Sequence, residues 1–272
     1  MEVIMKKRVL SVMLCAGIAV SMLAGCGGNS KGDSGKEAKS DLEYVKDKGT
    51  LVVGITNFEP MDYQDADGDW IGFDADMANA FGESLGVDVE FIEIDWDNKI
   101  LELEGKTIDC VWNGMTLTDE VLSSMECTDA YLNNAQVVVL PSDKADKYAD
   151  EESLKDLSFA VEAGSAGEDE VEARELNFTP VTAQADALME VAAGTSDAAV
   201  IDLLMATAMI GEGTNYSDLT HTVKLSTEEY GVGFRKGSDL AKALNDFFAA
   251  SYEDGTIVTC AEKYNIQDML VK

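Results

Sequence analysis

The chain has a single histidine and lacks the motifs of common hydrolases. That histidine, His221, lies within residues 219–223 with no cysteine or second histidine nearby. Metal sites built on a pair of histidines are therefore excluded, and we expect His221 at the surface or at the edge of a strand. A Gly-x-Ser-x-Gly elbow is also missing, which disfavours a Ser-His-Asp hydrolase. We predict no catalytic residue, no metal ligand and no cofactor.

Positive charge is scarce. Twenty lysines and arginines stand against 52 aspartates and glutamates, a formal net charge of -32 at pH 7. So acidic a chain repels nucleic-acid phosphates and anionic lipid. Nucleic acid is therefore excluded as a partner, and small solutes and proteins remain.

Cysteine is also sparse, and its spacing matches no zinc pattern. Cys15 and Cys26 belong to the N-terminal segment, which leaves Cys110, Cys127 and Cys260 in the body of the chain. Three thiols cannot all pair within one chain. A Cys110–Cys127 disulfide and buried free thiols both remain open.

The N-terminal apolar run is too short for a stable membrane span. It covers residues 9–23, follows Lys6, Lys7 and Arg8, and is typical of a secretory signal. It ends in Leu-Ala-Gly-Cys26, which resembles the bacterial lipobox, where cleavage precedes a cysteine that then carries lipid. An ordinary signal with an incidental cysteine is the alternative. We predict a lipoprotein signal over 1–25, lipidation of Cys26 and a flexible Gly/Ser/Lys-rich tether over 26–40.

Beyond the tether, short apolar runs alternate with amphipathic stretches. Strands are predicted at residues 51–55, 87–94, 108–112, 136–140, 158–161, 178–181, 198–201 and 232–235. Helices are predicted at 74–85, 97–104, 168–176, 185–193 and over the tail 239–263. The βα pattern stops and restarts, which predicts two α/β lobes that the chain crosses twice. Ligands bind beyond the carboxyl ends of strands in such sheets, which directs attention to residues 112–118, 163–167 and 202.

The acidic turn at residues 65–69, Asp-Ala-Asp-Gly-Asp, has a superficial likeness to a calcium loop. Its Gly68 falls at loop position 4 instead of the required 6, and Asp76 stands where an EF-hand has glutamate. We predict a hairpin turn without a metal.

The residues that follow predicted strands suit polar contacts. Ser165 precedes Glu168 by three, a capping box at a helix start whose free amides favour an anion. Asp202 is either a helix N-cap or a carboxylate for a ligand ammonium. Residues 113–118 are predicted to form a polar turn that ends at Thr118, the N-cap of the next helix. Trp96 and Trp112 are either core residues or ligand platforms.

Motifs spread from about residue 44 to the end of the chain resemble those of the extracellular solute-binding proteins of family 3, the polar amino acid receptors of ABC importers. Beside the lipobox, they are Lys48-Gly-Thr-Leu-Val-Val-Gly54, Glu59-Pro-Met-Asp-Tyr63, Gly72-Phe-Asp-Ala-Asp76, Gly105-Lys-Thr-Ile-Asp109, Asn113-Gly-Met-Thr-Leu-Thr118, Gly164-Ser165, Gly194-Thr-Ser-Asp-Ala-Ala199 and Tyr230-Gly-Val-Gly233. Ala75 is smaller than the branched residue usual in that family.

The resemblance implies a type II periplasmic-binding-protein-like fold, two α/β lobes joined by two hinge strands. Lobe 1 is expected at 41–134 plus 231–272 and lobe 2 at 135–230, with hinges near 131–136 and 228–232. The expected ligand-binding residues are Phe58, Trp96, Asn113, Gly114, Thr116, Ser165, Ala166 and Asp202. The chain departs from the family at Val121, where an arginine usually holds the ligand's α-carboxylate.

By this resemblance the chain is expected to deliver an amino acid or a similar solute to an ABC permease. It would act without enzymatic activity, as a monomer anchored through Cys26 at the extracytoplasmic face of the membrane. A ligand-sensing subunit for a membrane receptor and a secreted dehydratase of the same fold are the alternatives.

Overall fold

The computed structural model describes residues 39–271. The predicted signal, Cys26 and the tether up to residue 38 lie outside the described residues. Within the described part of the chain, no helix has both the length and the apolar character needed to cross a membrane.

Helices and strands alternate along the described chain. The α-helices are α1 (Asp41–Lys48), α2 (Phe73–Leu85), α3 (Lys99–Glu104), α4 (Asp119–Ser124), α5 (Ala166–Ala173), α6 (Gln184–Ala193), α7 (Leu203–Met209), α8 (Leu240–Asp254) and α9 (Thr256–Lys263). The strands are β1 (Thr50–Ile55), β2 (Tyr63–Gln64), β3 (Trp70–Ile71), β4 (Asp88–Glu93), β5 (Cys110–Thr116), β6 (Met125–Cys127), β7 (Leu132–Asn134), β8 (Gln136–Pro141), β9 (Ser158–Glu162), β10 (Asn177–Val181), β11 (Ala198–Asp202), β12 (Leu219–Lys224) and β13 (Glu228–Arg235).

The first sheet is built around β1 and β5. Strand β1 pairs in parallel with β4 and β5, and β5 pairs antiparallel with β13. The other side of β13 carries the short strands β6 and β7. The carboxyl ends of β1 and β5 therefore lie at one edge of this sheet, where a ligand site is expected.

The second sheet has the order β10-β9-β11-β8-β12. Strand β9 runs parallel to β10 and β11, whereas β8 is antiparallel to both of its neighbours. Each sheet carries its own helices and buried side chains. This arrangement confirms the predicted architecture of two α/β lobes.

The chain crosses between the sheets at two adjacent places. It leaves the first sheet at Asn134 and enters the second at Gln136, then leaves at Lys224 and returns at Glu228. The two crossings are hydrogen-bonded to each other, because the Leu225 amide donates to the Gln136 carbonyl over 2.8 Å.

The prediction of a polar turn at residues 113–118 is wrong over residues 113–116, because strand β5 continues through them. Strand β5 runs from Cys110 to Thr116, with Tyr230 opposite Thr116 and Gly231 opposite Met115. The antiparallel partner supplies hydrogen bonds that a turn would otherwise have to satisfy within itself. Gly114 has a φ of 55°, which lets the strand twist at the point where it reaches the sheet edge.

Three helix predictions differ from the structure at their ends. The predicted helix at 97–104 begins as a 3-10 turn, Trp96–Asn98, before α3. The helix predicted at 168–176 is α5, which starts and ends earlier. The tail predicted as one helix is divided into α8 and α9 by Gly255, whose φ of 82° cannot continue a right-handed helix.

Several smaller predictions are confirmed. His221 is exposed and lies in β12, the edge strand of the second sheet. The acidic turn closes the β2–β3 hairpin, where the Asp65 carboxylate accepts the amides of Asp67 and Asp69.

The cysteines and tryptophans of the body are also accounted for. Cys110, Cys127 and Cys260 are free thiols, and only Cys110 is fully buried. No disulfide therefore joins Cys110 to Cys127. Trp112 is a core residue whose ring lies 5.6 Å from that of Phe248.

Candidate functional site

A cavity lies where the strand ends of the two sheets meet. It has an empty volume of about 480 Å³ including its mouth. All eight residues predicted to bind a ligand line it, namely Phe58, Trp96, Asn113, Gly114, Thr116, Ser165, Ala166 and Asp202. The structure thus brings together residues that are up to 144 positions apart in the sequence.

The floor of the cavity is the end of β5, and the side chain of Asn113 fixes it there. Its amide nitrogen donates to the Thr56 carbonyl over 3.0 Å and to the Asp62 carboxylate over 2.7 Å. Its amide oxygen accepts from the Thr56 backbone and hydroxyl. Because these bonds use all its donors, Asn113 shapes the floor and presents backbone rather than side chain to the cavity.

Two buried carboxyl groups lie beneath this floor. Asp74 accepts the Gly114 amide over 2.6 Å and the Tyr131 hydroxyl over 2.8 Å. Burial raises the pKa of Asp74 to about 7, and burial together with the nearby Asp74 charge raises the pKa of Asp62 well above its usual range. Asn113 and the Gly114 amide are therefore held by carboxyl groups that retain their protons at neutral pH more readily than exposed carboxyl groups do.

Phe58 and Trp96 form the aromatic part of the wall. Phe58 is buried and meets Tyr230 edge to face, with ring centroids 6.4 Å apart. Trp96 is 7% exposed and lies in the 3-10 turn before α3. Such rings offer flat apolar surfaces to a ligand side chain.

The start of α5 contributes the second lobe's polar surface. The Ser165 hydroxyl accepts the Glu168 amide over 3.2 Å, which confirms the predicted N-cap. The Glu168 carboxylate accepts the Gly164 amide over 2.6 Å, one residue earlier than in the usual capping box. The amides of Ala166 and Gly167 remain in the first helical turn, which has no carbonyl one turn before it to accept them.

Asp202 is the most heavily hydrogen-bonded acid of the cavity. Its carboxylate accepts from side chains of both crossings and of α6. These donors are Asn134, Gln136, Gln184 and Tyr230. Asp202 stands at the N-cap position of α7 but its side chain makes no capping bond. Asp202 therefore occupies the N-cap position, but its carboxylate does not cap the helix.

Glu228, on the second crossing, shares donors with Asp202. Asn134 and Gln136 each donate to both carboxyl groups. Burial, and then the negative charge of Asp202, raise the pKa of Glu228 to about 9, and burial raises that of Asp202. Glu228 is therefore protonated at neutral pH, and its carboxyl adds no second negative charge beside Asp202.

Two buried charged residues of the lining were not among the predicted ligand-binding residues. Lys99, the first residue of α3, is 6% exposed, and Glu162, the last residue of β9, is 2% exposed. Lys99 follows Trp96 by three positions, one helical turn away, and Glu162 directly precedes the segment 163–167 that sequence reasoning selected. These two spacings are the sequence features that could have indicated Lys99 and Glu162 as lining residues.

No arginine lines the cavity within the described residues. Val121 does line it and is 3% exposed, with its amide capped by the Thr118 hydroxyl over 3.2 Å as predicted. Arg174 pairs with glutamates on the second lobe, and Arg235 pairs with Asp41 and Asp109. Lys99 is the cation that the described lining supplies.

Comparisons with known proteins agree with this geometry. The family model of the bacterial extracellular solute-binding proteins, family 3, matches residues 51–267. The L-cystine-binding protein TcyJ of Escherichia coli K12 is 30% identical over 91% of this chain and 92% of its own length.

Two solved structures resemble the whole body. An ABC uptake transporter substrate-binding protein from Streptococcus pneumoniae with bound histidine has a TM-score of 0.77 and 29% identity over 86% of this chain and 99% of that one. The ancestral amino acid-binding protein AncCDT-1, a precursor of cyclohexadienyl dehydratase, has a TM-score of 0.76 and 30% identity over 83% of this chain and 99% of that one.

Proposed function

Because the chain belongs to the bacterial extracellular solute-binding proteins of family 3, we propose that it is the substrate-binding protein of an ABC importer. Its ligand is an amino acid or an amino-acid-like solute held between the two lobes. The observation that carries this proposal is the cavity itself, where a buried carboxylate and a helix start from one lobe face two aromatic rings from the other lobe across one enclosed space.

The lining suggests how such a ligand lies. Asp202 accepts the ligand's ammonium, and the amides at the start of α5 with Thr116 bind its carboxylate. Phe58 and Trp96 pack against the side chain, and Gly114 contributes backbone beside the ammonium. The ligands of two relatives, L-cystine for TcyJ and histidine for the pneumococcal structure, support this class of solute.

Closure of the lobes is the proposed mechanism of delivery. We assign lobe 1 to residues 41–134 plus 231–272 and lobe 2 to 135–230, with the two crossings as hinges. A ligand that contacts both lobes favours the closed state by its differential affinity for that state, and the permease recognises it. The proposed placement is the extracytoplasmic face of the membrane, where lipid on Cys26 and the tether hold the body as a monomer.

We further propose that the chain has no enzymatic activity. The cavity does hold an acid with an elevated pKa, Glu162, so turnover is worth measuring. Formation of product from prephenate-like acids by the purified protein would establish the dehydratase alternative. A sensory role would instead require a membrane receptor that the closed protein engages.

Calorimetry on the mature protein tests the binding proposal. The titrants are the common amino acids, L-cystine and short peptides. We expect at least one amino acid to bind, and Asp202→Asn to abolish that binding because the ammonium loses its anion. Asp88→Asn, on an exposed strand position, is the matched control. Failure of every amino acid and of cystine to bind would refute the proposal.

A further inference from the structure

The cavity poses a charge problem for an amino acid ligand. Its lining contains four acids, Glu120, Glu162, Asp169 and Asp202, and within the described residues one basic side chain, Lys99. A ligand carboxylate buried among acids needs a cationic or strongly donating partner. Val121 cannot supply one, since its side chain is aliphatic.

Lys99 lies where it can meet that need. Its ammonium donates to the Trp96 carbonyl over 3.3 Å within its own lobe and to the Gly164 carbonyl over 2.8 Å across the cleft. An ammonium has three N–H donors, so two bonds to carbonyls leave one N–H for a ligand. The bond to Gly164 also places the ammonium beside the residues that start α5, whose first amides favour an anion.

Lys99 is buried and has several acidic residues near it. Burial lowers the pKa of Lys99, and the carboxylates of Glu120, Glu162, Asp97 and Asp169 act against that shift. A long, strongly hydrated side chain is rarely buried to this degree without a charged partner. The hydrogen bonds to two backbone carbonyls leave its charge available to a ligand.

Glu162 lines the same cavity as Lys99 but belongs to the opposite lobe. One of its oxygens, Oε1, is buried and has no hydrogen-bond partner among the described residues. Buried polar atoms in native proteins are nearly always bonded, so this oxygen points to a polar group that arrives with the ligand. Burial raises the pKa of Glu162 to about 8, and a protonated carboxyl can donate to an oxygen atom without repelling it.

We propose that Lys99, together with the first amides of α5 and the Glu162 carboxyl, binds the ligand's carboxylate. This inference rests on the proposed function and specifies its substrate class as solutes that carry both a free ammonium and a free carboxylate. Lys99, which lies in α3, thereby makes the cationic contact that Val121 in α4 cannot make.

The experiment compares ligands that differ only in the carboxylate. Calorimetry on the full mature protein uses three pairs, L-cystine with cystamine, L-histidine with histamine, and L-arginine with agmatine. We expect the amino acid that binds to have an affinity at least tenfold higher than that of the matching amine. Lys99→Met should weaken the binding of the amino acid by about 10- to 100-fold, in line with the loss of a charge-assisted hydrogen bond. The same change should alter the affinity for the amine by less than about threefold.

Conservative variants separate binding from folding. Lys99→Arg, which keeps the positive charge, should weaken amino acid binding less than Lys99→Met does. Val121→Arg in the Lys99→Met background should restore amino acid binding because position 121 faces the same cavity. Lys144→Met, which removes one exposed positive charge, controls for net charge. The unfolding midpoint of each variant reports on folding.

Each contrary result has a distinct meaning. Equal weakening of amino acid and amine by Lys99→Met, or no weakening of either, would overturn the assignment of Lys99 while leaving the proposed function intact. Binding of amines alone by the wild-type protein would overturn the substrate class. Absence of binding by every compound would overturn the proposed function and the assignment with it.

Discussion

Replacing Glu162 by glutamine should stabilise the protein in a strongly pH-dependent way. Glu162 is 2% exposed at the end of β9, and burial raises its pKa from 4.5 to about 8. The charge of Lys99 offsets part of that shift, whereas Glu162 and Asp202 repel each other. The folded protein therefore keeps this carboxyl protonated at pH 7, whereas the unfolded chain ionises it.

The size and sign of the effect follow from linkage. A raised pKa in the folded state means that stability from this group is complete below pH 4.5 and is lost as the pH rises to about 8. At about 1.36 kcal/mol per unit, the carboxyl opposes folding by about 3 kcal/mol at pH 7 and by almost nothing at pH 4.5. Glutamine has a similar shape and cannot ionise, so Glu162→Gln should remove this penalty.

Urea unfolding of wild type and variant at pH 5, 6, 7 and 8 measures the effect. The difference in unfolding free energy should grow with pH up to about pH 8. Asp74 and Glu228 titrate in both proteins, so their contributions cancel in that difference. Glu90→Gln, the same change at an exposed strand position, should shift stability by less than about 0.5 kcal/mol at every pH.

A difference between Glu162→Gln and wild type that does not change between pH 5 and 8 would refute the reasoning. It would mean that the Glu162 carboxyl ionises as easily in the folded protein as in the unfolded chain. A difference that shrinks as the pH rises would reverse the sign and require a depressed pKa.

Three further outcomes follow from local geometry. Thr118→Ala removes the acceptor that caps α4 and should lower the unfolding free energy by about 1 kcal/mol in urea titrations. Gly72→Ala should reduce the soluble yield or the melting temperature far more than Gly68→Ala, because a Cβ at Gly72 would lie 2.1 Å from a backbone oxygen whereas at Gly68 it meets open space. The thiol of Cys110 should react with a thiol reagent only after denaturation, since it is buried and burial raises its pKa, and quantitative labelling before and after urea checks this.

Much of the fold was predictable because its central strands are apolar on both faces. Strand β11 is buried throughout, and its unbroken apolar run is readable from sequence alone. The short strands β6 and β7 have three residues each and no periodicity to detect. Residues 113–116 look like a turn by composition, and only pairing with β13, more than a hundred positions away, makes them a strand.

The candidate site divides in the same way. Asp202 ends β11, and Ser165 lies shortly after the end of β9. The rule that ligands bind at strand ends, together with the family resemblance, therefore located both residues. Lys99 begins a helix in a polar stretch and resembles an ordinary solvated lysine. Its burial depends on the opposite lobe, whose Gly164 carbonyl accepts a hydrogen bond from its ammonium, and no local pattern in the sequence contains that contact.

The buried charges of the cavity fit a zwitterion better than an anion or a cation. Glu228, with a pKa of about 9, and Glu162, with a pKa of about 8, are largely neutral at pH 7. Asp202 is then the buried acid of the lining that faces a ligand ammonium, and Lys99 is the buried cation that faces a ligand carboxylate. Glu120 and Asp169 are exposed, so water screens them. A ligand with one ammonium and one carboxylate leaves no buried charge unpaired, whereas an amine would leave Lys99 and a carboxylic acid would leave Asp202 without a partner. The contacts proposed for Lys99 and Asp202 would thus select for both groups at once. Because the two residues lie on different lobes, the proposed closure would bring both to the same ligand.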